Sequence, residues 1–438
     1  MSNDSVSQPA VSPAAAPSGG RWAELRSLFS LSIWPVADQA VVSASNFLTN
    51  IIVARVLGPH DFGVFTLGWS AVLLAQLLQF CLITTPMFTL AAGQALDKRP
   101  FYFGALARFE SVLAAGVAVL LLGGAATGGR LSPDWPPLGF AAALAAAGGA
   151  YLWQDWAKRA LFTNGRPGPA ILSDALSYPL QLLAMLALLK ASGELDRVLW
   201  VMAATSGLGA IAAWRPLRMR RPDAALLRET ALGHWRFGRW MLGTVPLTWV
   251  VGNMIQLAGG TLLGAEAVAG IRAVALLFAA GNAFFLSLDN FVPRHAAAIL
   301  AEKGWPAFAR FMRHWIMIGV GVGVLISAAL SLCPGFWLRL AFGPALAGFD
   351  WMVYPFALQF PMSCFILVSG MGLRTAGLNA AVFQIWGGMA LVATITAFPG
   401  IWLFGLTGAM GSLLISYLAG CALTVVYTLR AAELHRVQ

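Results

Sequence analysis

Apolar residues run through this chain in blocks of about 20, the length that crosses a hydrocarbon layer as a helix. Twelve blocks fall near 31–56, 64–93, 104–127, 138–158, 168–190, 197–216, 237–262, 268–292, 311–333, 351–373, 378–398 and 402–429. Several carry polar residues at helical spacing. In the first, Gln39, Ser43, Asn46 and Asn50 are 4, 3 and 4 apart and share a helical face within roughly 60°. In the seventh, Thr244, Thr248, Gly252 and Gln256 are four apart, with Asn253 beside them. Lipid cannot satisfy amide side chains, so such stripes need water or protein as a neighbour.

The pattern also repeats. Leu57-Gly58 returns as Leu263-Gly264, an offset of 206, and each is followed by a short acidic turn and another apolar run. Pro86 with Pro293 and Pro100 with Pro306 keep nearly that offset, and Thr163-Asn164-Gly165 matches Thr375-Ala376-Gly377 at a slightly longer one. Several matches in order predict a duplicated half. The only sizeable connection, Arg215 to Trp240, divides six blocks from six, with Pro222 and Asp223 placed to start an amphipathic helix at the interface. Because six is even, both halves insert the same way. The expectation is an all-α integral membrane protein, two six-helix bundles related by a pseudo-twofold axis along the membrane normal. The parts are a disordered cytoplasmic tail (1–20), a first bundle (21–216), an amphipathic linker (217–236), a second bundle (237–430) and a final cytoplasmic tail (431–438).

Composition agrees with membrane insertion: 59% of residues are hydrophobic, 11% are charged and the mean hydropathy is +0.74, against about 25% charged in a soluble domain. With both termini cytoplasmic, all but six of the 28 Lys and Arg fall on that side; the exceptions are Arg55, Arg130, Lys190, Arg197, Arg272 and Arg339. The net charge of +10 is then an anchoring charge against anionic lipid, and nucleic acid is not an expected partner. The four cysteines lack a C-x-x-C pair and read as small core residues; the five histidines lack ligand spacing, so neither a metal nor a cofactor is expected.

Two facing bundles enclose a cleft, and its expected lining is Gln39, Ser43, Asn46 and Asn50 from span one, Gln76 and Gln79 from span two, Thr248, Asn253 and Gln256 from span seven, and Arg272, Asn282 and Asn290 from span eight. Interhelical hydrogen bonding is the competing use of each amide. Arg272 is the leading anion-binding candidate, since a guanidinium inside a span needs water or an anion unless it reaches the interface. Arg55 is a second, although it points away from the span-one stripe. Asp38 and Asp289 are candidates for a coupling proton or sodium ion, or for pairs with neighbouring basic residues such as Arg294. Asp155 with Lys158 and Arg159, and Arg108 with Glu110, read as salt-bridged caps.

The run SNFLTNIIVARVLGPHDFGVFTLGWSAVLLAQLLQF (Ser45 to Phe80), the LFTNGRP segment before span five and the GLRTAGLN segment before span eleven resemble the polysaccharide-transport branch of the multidrug/oligosaccharidyl-lipid/polysaccharide exporter superfamily. The resemblance implies a flippase of the bacterial inner membrane that moves a polyprenyl-diphosphate-linked oligosaccharide to the outer leaflet for O-antigen, capsule or exopolysaccharide. It also implies alternating access through a basic central cavity and a glycan polymerase as partner. Relatives that flip the peptidoglycan precursor usually carry extra helices and more arginines in the first two, and this chain has neither. The diphosphate would use Arg272 and Arg55, and the sugars the amide stripes. Two alternatives remain: a cation-coupled multidrug exporter using Asp38 and Asp289, and a membrane glycan polymerase or ligase, for which the short loops provide few paired acids.

Overall fold

A computed structural model describes residues 21–131, 137–189, 194–279 and 281–434, with side chains from Val41 onward except 128–131, 188–189, 244, 282–284, 286, 287, 290 and 434. The terminal tails at 1–20 and 435–438, and the side chains of Asp38, Gln39, Thr244, Asn282 and Asn290, lie outside that description.

Helix α1 (Arg21–Gln79) is two spans joined at Gly58, where φ is 83° and ψ 179°. A short π-turn (Phe80–Thr84) and α2 (Thr85–Leu90) complete its second arm. Then follow α3 (Arg99–Leu131), α4 (Leu138–Thr163), α5 (Pro167–Leu189) and α6 (Leu195–Leu217). The connection forms α7 (Ala224–Gly238), capped by Asp223, whose carboxylate accepts from the Leu226 amide at 2.7 Å. Lobe 2 runs through α8 (Met241–Leu263), α9 (Ala265–Ala279), α10 (Asn282–Leu332, bent at Gly304), the short α11 (Pro334–Phe342), α12 (Val353–Thr375) and α13 (Asn379–Leu434, bent at Gly405). With the long helices divided at their glycines, and α9 joined to the first arm of α10, each lobe has six crossings.

The duplication is visible in backbone geometry. Gly264 has φ 88° and ψ −179°, nearly the Gly58 conformation, in a region that side chains with a Cβ rarely adopt. At both places the chain reverses with little loop. The caps of α4 and α12 also correspond bond for bond: Asn164 N to Ala160 O matches Ala376 N to Gly372 O, and Arg166 N to Leu161 O matches Leu378 N to Leu373 O, all at 2.9 Å. Each cap is followed by a glycine at positive φ, Gly165 or Gly377.

Lobe 1 packs α4 against α3, α5 and α6; lobe 2 packs α10 against α12 and α8 against α13. The lobes meet chiefly where α1 lies on α9, α8 and α11, at the end that holds Gly58 and Gly264. There the Gly63 backbone comes so close to Ala265 that a Cβ on Gly63 would stand 1.8 Å from the Ala265 oxygen. Phe62 and Phe342 stack beside them with centroids 6.2 Å apart. Farther along, α10, the continuation of α9, is no longer among the elements packed on α1 to any extent. The lobes thus meet most extensively at the glycine end, while at the linker end α8 touches the π-turn Phe80–Thr84.

The linker helix belongs to lobe 1. It packs on α2, α3 and the π-turn, with Gly238 against the Cys81 carbonyl and the Arg220 amide donating to Pro100 O at 2.9 Å. The cysteines are less uniform than expected: Cys81 and Cys364 are buried, Cys421 is half-buried and Cys333, at the end of α10, is exposed.

Two outcomes follow from these contacts. Gly63→Ala forces the lobes apart and is expected to lower stability by about 1–3 kcal/mol, read as a lower Tm in detergent, whereas Gly116→Ala, with nothing within 4 Å of its Cβ, leaves Tm unchanged. His234 of α7 is buried, with Nδ1 3.0 Å from Leu82 O and Nε2 2.8 Å from Tyr102 Oη. The carbonyl can only accept, so Nδ1–H donates to it and Nε2 accepts from the tyrosine. Burial lowers the His234 pKa from 6.5, opposed by the Leu82 bond. A folded-state pKa below the unfolded one means stability present above about pH 6.5 and lost as pH falls below it; faster amide exchange in α7 on acidification, absent in His234→Gln, is the expected result.

Candidate functional site

The region just inside the glycine end, the apex of the contact between the lobes, is built symmetrically. Asn50 lies eight residues before Gly58, Gln256 eight before Gly264 and Arg272 eight after it. Eight residues of helix span about 12 Å, so all three stand at the same depth from the closed end. Asn50 and Gln256 are also counterparts at the repeat offset, and the counterpart of Arg272 is Thr66, a buried hydroxyl bonded to Phe62 O at 2.8 Å. At that matched pair of positions the cation stands on the lobe 2 side.

Arg272 is half-buried among Ile271, Ala273 and Val274, and it has no hydrogen-bond or ion-pair partner among the described residues. It sits seven residues from Ala265, within about 20° on the α9 surface, so it continues the line that touches Gly63. An unpaired guanidinium on the face toward the other lobe is poised for an anion, the most economical way to satisfy five donors at once.

The amides behave in two ways. Asn50 Nδ2 donates to Asn46 O at 2.8 Å and Asn253 Nδ2 to Trp249 O at 2.9 Å, each within its own helix, which leaves the oxygens open. Asn46 is exposed, whereas Gln256 is buried, its Oε1 unsatisfied and its Nε2 3.4 Å from Gly252 O. Gln76 and Gln79 turn into lobe 1, away from the cleft where the sequence analysis put them. Gln76 Nε2 donates to Tyr151 Oη at 2.8 Å and Gln79 Nε2 to Leu152 O at 2.7 Å. The cause is α4, which presents Tyr151 and an open carbonyl to that face.

Arg55 is engaged as well. Its Nε donates to Ala341 O at 2.8 Å and its Nη2 to Arg339 O at 3.3 Å and to Leu340 O, so it caps the C-terminus of α11 across the lobe boundary. Asp289 pairs with Arg374 at 3.0 Å, both about half exposed, in place of the expected Arg294. Among the described residues no group of three or more His, Cys, Asp or Glu could hold a metal.

No family pattern and no curated protein matches the sequence. Solved structures do match. The lipid II flippase MurJ in an inward closed conformation aligns at a TM-score of 0.67 and 10% identity, over 91% of this chain and 87% of that one. An inward-facing MATE multidrug resistance transporter of the MOP superfamily aligns at 0.66 and 13% identity, over 90% and 95%. A MOP-superfamily transporter from Pyrococcus furiosus aligns at 0.62 and 14%, over 92% and 94%. The chain shares the fold of these solved transporters.

Within this fold, the most strongly bonded polar groups are ones that the sequence analysis did not single out or paired differently. Gln181 donates to Thr49 at 2.9 Å, so span one turns Thr49 into lobe 1, about 60° round from Asn46 and 100° from Asn50. Lys158 pairs with Asp174 of α5 at 2.7 Å, both buried, while Asp155 takes Arg159 at 2.8 and 3.0 Å. Asp174 stands four residues from Ala170 and three from Ser177 on the buried face of α5, a pattern that could have flagged it.

Removing the Arg55 cap should loosen the closed end. With exposure screening the bonds, Arg55→Ala is expected to cost about 1 kcal/mol, a five- to tenfold shift toward separation. Broadening to longer distances between spin labels at His60 and Phe336, both exposed, is the readout; an unchanged distribution would show that the cap is passive.

Proposed function

We propose that the chain is a flippase that carries a polyprenyl-diphosphate-linked oligosaccharide from the cytoplasmic to the periplasmic leaflet by alternating access, in O-antigen, capsule or exopolysaccharide synthesis. The observation that carries this reading is the unpaired Arg272 at the apex, level with Asn50 and Gln256. A diphosphate needs charge-assisted donors and sugars need amide and carbonyl groups, and the two kinds of group stand at one depth. Arg272 binds the diphosphate, and Asn46, Asn50, Asn253 and Gln256 meet the sugars. Arg55 and the Gly63 contact hold the outer end shut while the inner end loads. The linker and both termini are cytoplasmic on this reading, and the protein resides in the inner membrane beside its glycan polymerase.

Outward movement of the anion is downhill by about 2.3 kcal/mol per charge per 100 mV when the inside is negative. The field alone can therefore drive the loaded step. A multidrug exporter with organic cations as substrates is the second reading; it would place an uncompensated carboxylate at the apex, whereas Asp289, the described one of the two candidate carboxylates, is paired with Arg374.

Binding of a polyprenyl-diphosphate oligosaccharide to the protein in nanodiscs is expected to weaken about ten- to hundredfold in Arg272→Ala, the value of a hydrogen-bonded charge, with partial recovery in Arg272→Lys. Flipping in vesicles should fall in parallel. Unchanged binding, or displacement of the ligand by organic cations, would overturn the assignment.

A further inference from the structure

The interior of lobe 1 holds a polar layer that the proposed substrate path does not use, and among the described residues all but one of its buried charges are matched there. Asp174 has Lys158 and Asp155 has Arg159. Glu110 of α3 has no such match. It lies eleven residues into the helix, roughly 16 Å from its start, is 0% exposed, and neither carboxyl oxygen makes a hydrogen bond. The expected partner, Arg108, is two residues along, about 200° round the helix, and is exposed.

The groups around Glu110 make the problem sharper. Gln79 of α1 is the polar side chain beside it, its Nε2 already donating to Leu152 O at 2.7 Å, and the carboxylate of Asp155 on α4 adds a like charge. Tyr151 and Arg159 of α4 are bonded to Gln76 and Asp155, Asp174 of α5 to Lys158, and His234 of α7 to Tyr102 and Leu82; Cys81 of the π-turn is buried. None donates to Glu110. A carboxylate that is buried, undonated and next to another carboxylate is strongly disfavoured, whereas the neutral acid carries no such penalty.

We propose that Glu110 is a proton-binding site, filled in this conformation. The unsatisfied atoms Gln79 Oε1, Thr84 Oγ1 and Thr85 Oγ1 bracket the π-turn Phe80–Thr84 next to it. Turns of this kind mark places where a helix can change register, and such a change exposes Glu110 to water. A conformation that hydrates the acid releases its proton, so by linkage low pH favours the present arrangement. This goes beyond the substrate assignment and stands whichever solute crosses.

The wild-type chain in nanodiscs, treated with a hydrophobic carbodiimide that attacks protonated carboxyls, is expected to carry the adduct on Glu110 at about pH 6 and at least tenfold less above about pH 10. In the infrared difference spectrum between wild type and Glu110→Gln, the C=O band of a neutral carboxyl should appear near neutral pH and vanish on the same titration. Spin labels across the inner opening should report a pH-dependent distance that Glu110→Gln abolishes and His234→Gln retains. A carboxylate-only infrared signal at neutral pH, sodium ions replacing pH as the agent that protects Glu110, or an unchanged pH dependence in Glu110→Gln would each overturn the proposal. Since no transported substrate enters these measurements, their failure is separate from failure of the flippase reading.

Discussion

The relation between the lobes rests on the approach of Gly63 to the Ala265 backbone. A side chain there would strike the carbonyl, so only glycine lets α1 and α9 touch at that level. The glycines just before, Gly58 and Gly264, turn the chain sharply enough that both helices begin at the same depth. In lipid every backbone polar group must be satisfied within the protein, which leaves little room for a long connecting loop at such a point. One steric fact therefore fixes where the two lobes come closest.

Much of this architecture was legible in the sequence because it depends on spacing along one chain. Span length follows from bilayer thickness, and the 206-residue echo of Leu57-Gly58 recurs as nearly equal backbone angles. The echo at Thr163 and Thr375 recurs as two identical sets of cap hydrogen bonds. The site was less legible because it depends on which neighbour a helical face meets. Gln76 and Gln79 share a face with nothing that announces α4, yet Tyr151 and the Leu152 carbonyl wait there. Lys158 had Asp155 nearby in sequence and took Asp174 from another helix, and Arg55 found the carbonyls of α11, some 285 residues away.

Duplication also clarifies what has diverged. Asn50 and Gln256 occupy matching positions and keep matching chemistry. Thr66 and Arg272 occupy matching positions and have separated, one closed on its own helix and the other open. The two lobes therefore differ at one matched pair of positions, a hydroxyl in lobe 1 against a guanidinium in lobe 2.

The docking of α7 has a mechanical consequence. Since that helix is fastened to α2, α3 and the π-turn by Gly238, His234 and the Arg220–Pro100 bond, most of the tether between the halves is rigidly part of the first. The pivot shrinks to the few residues between Gly238 and the start of α8. A relative movement of the lobes would be concentrated in that short segment, with α7 kept in place on lobe 1.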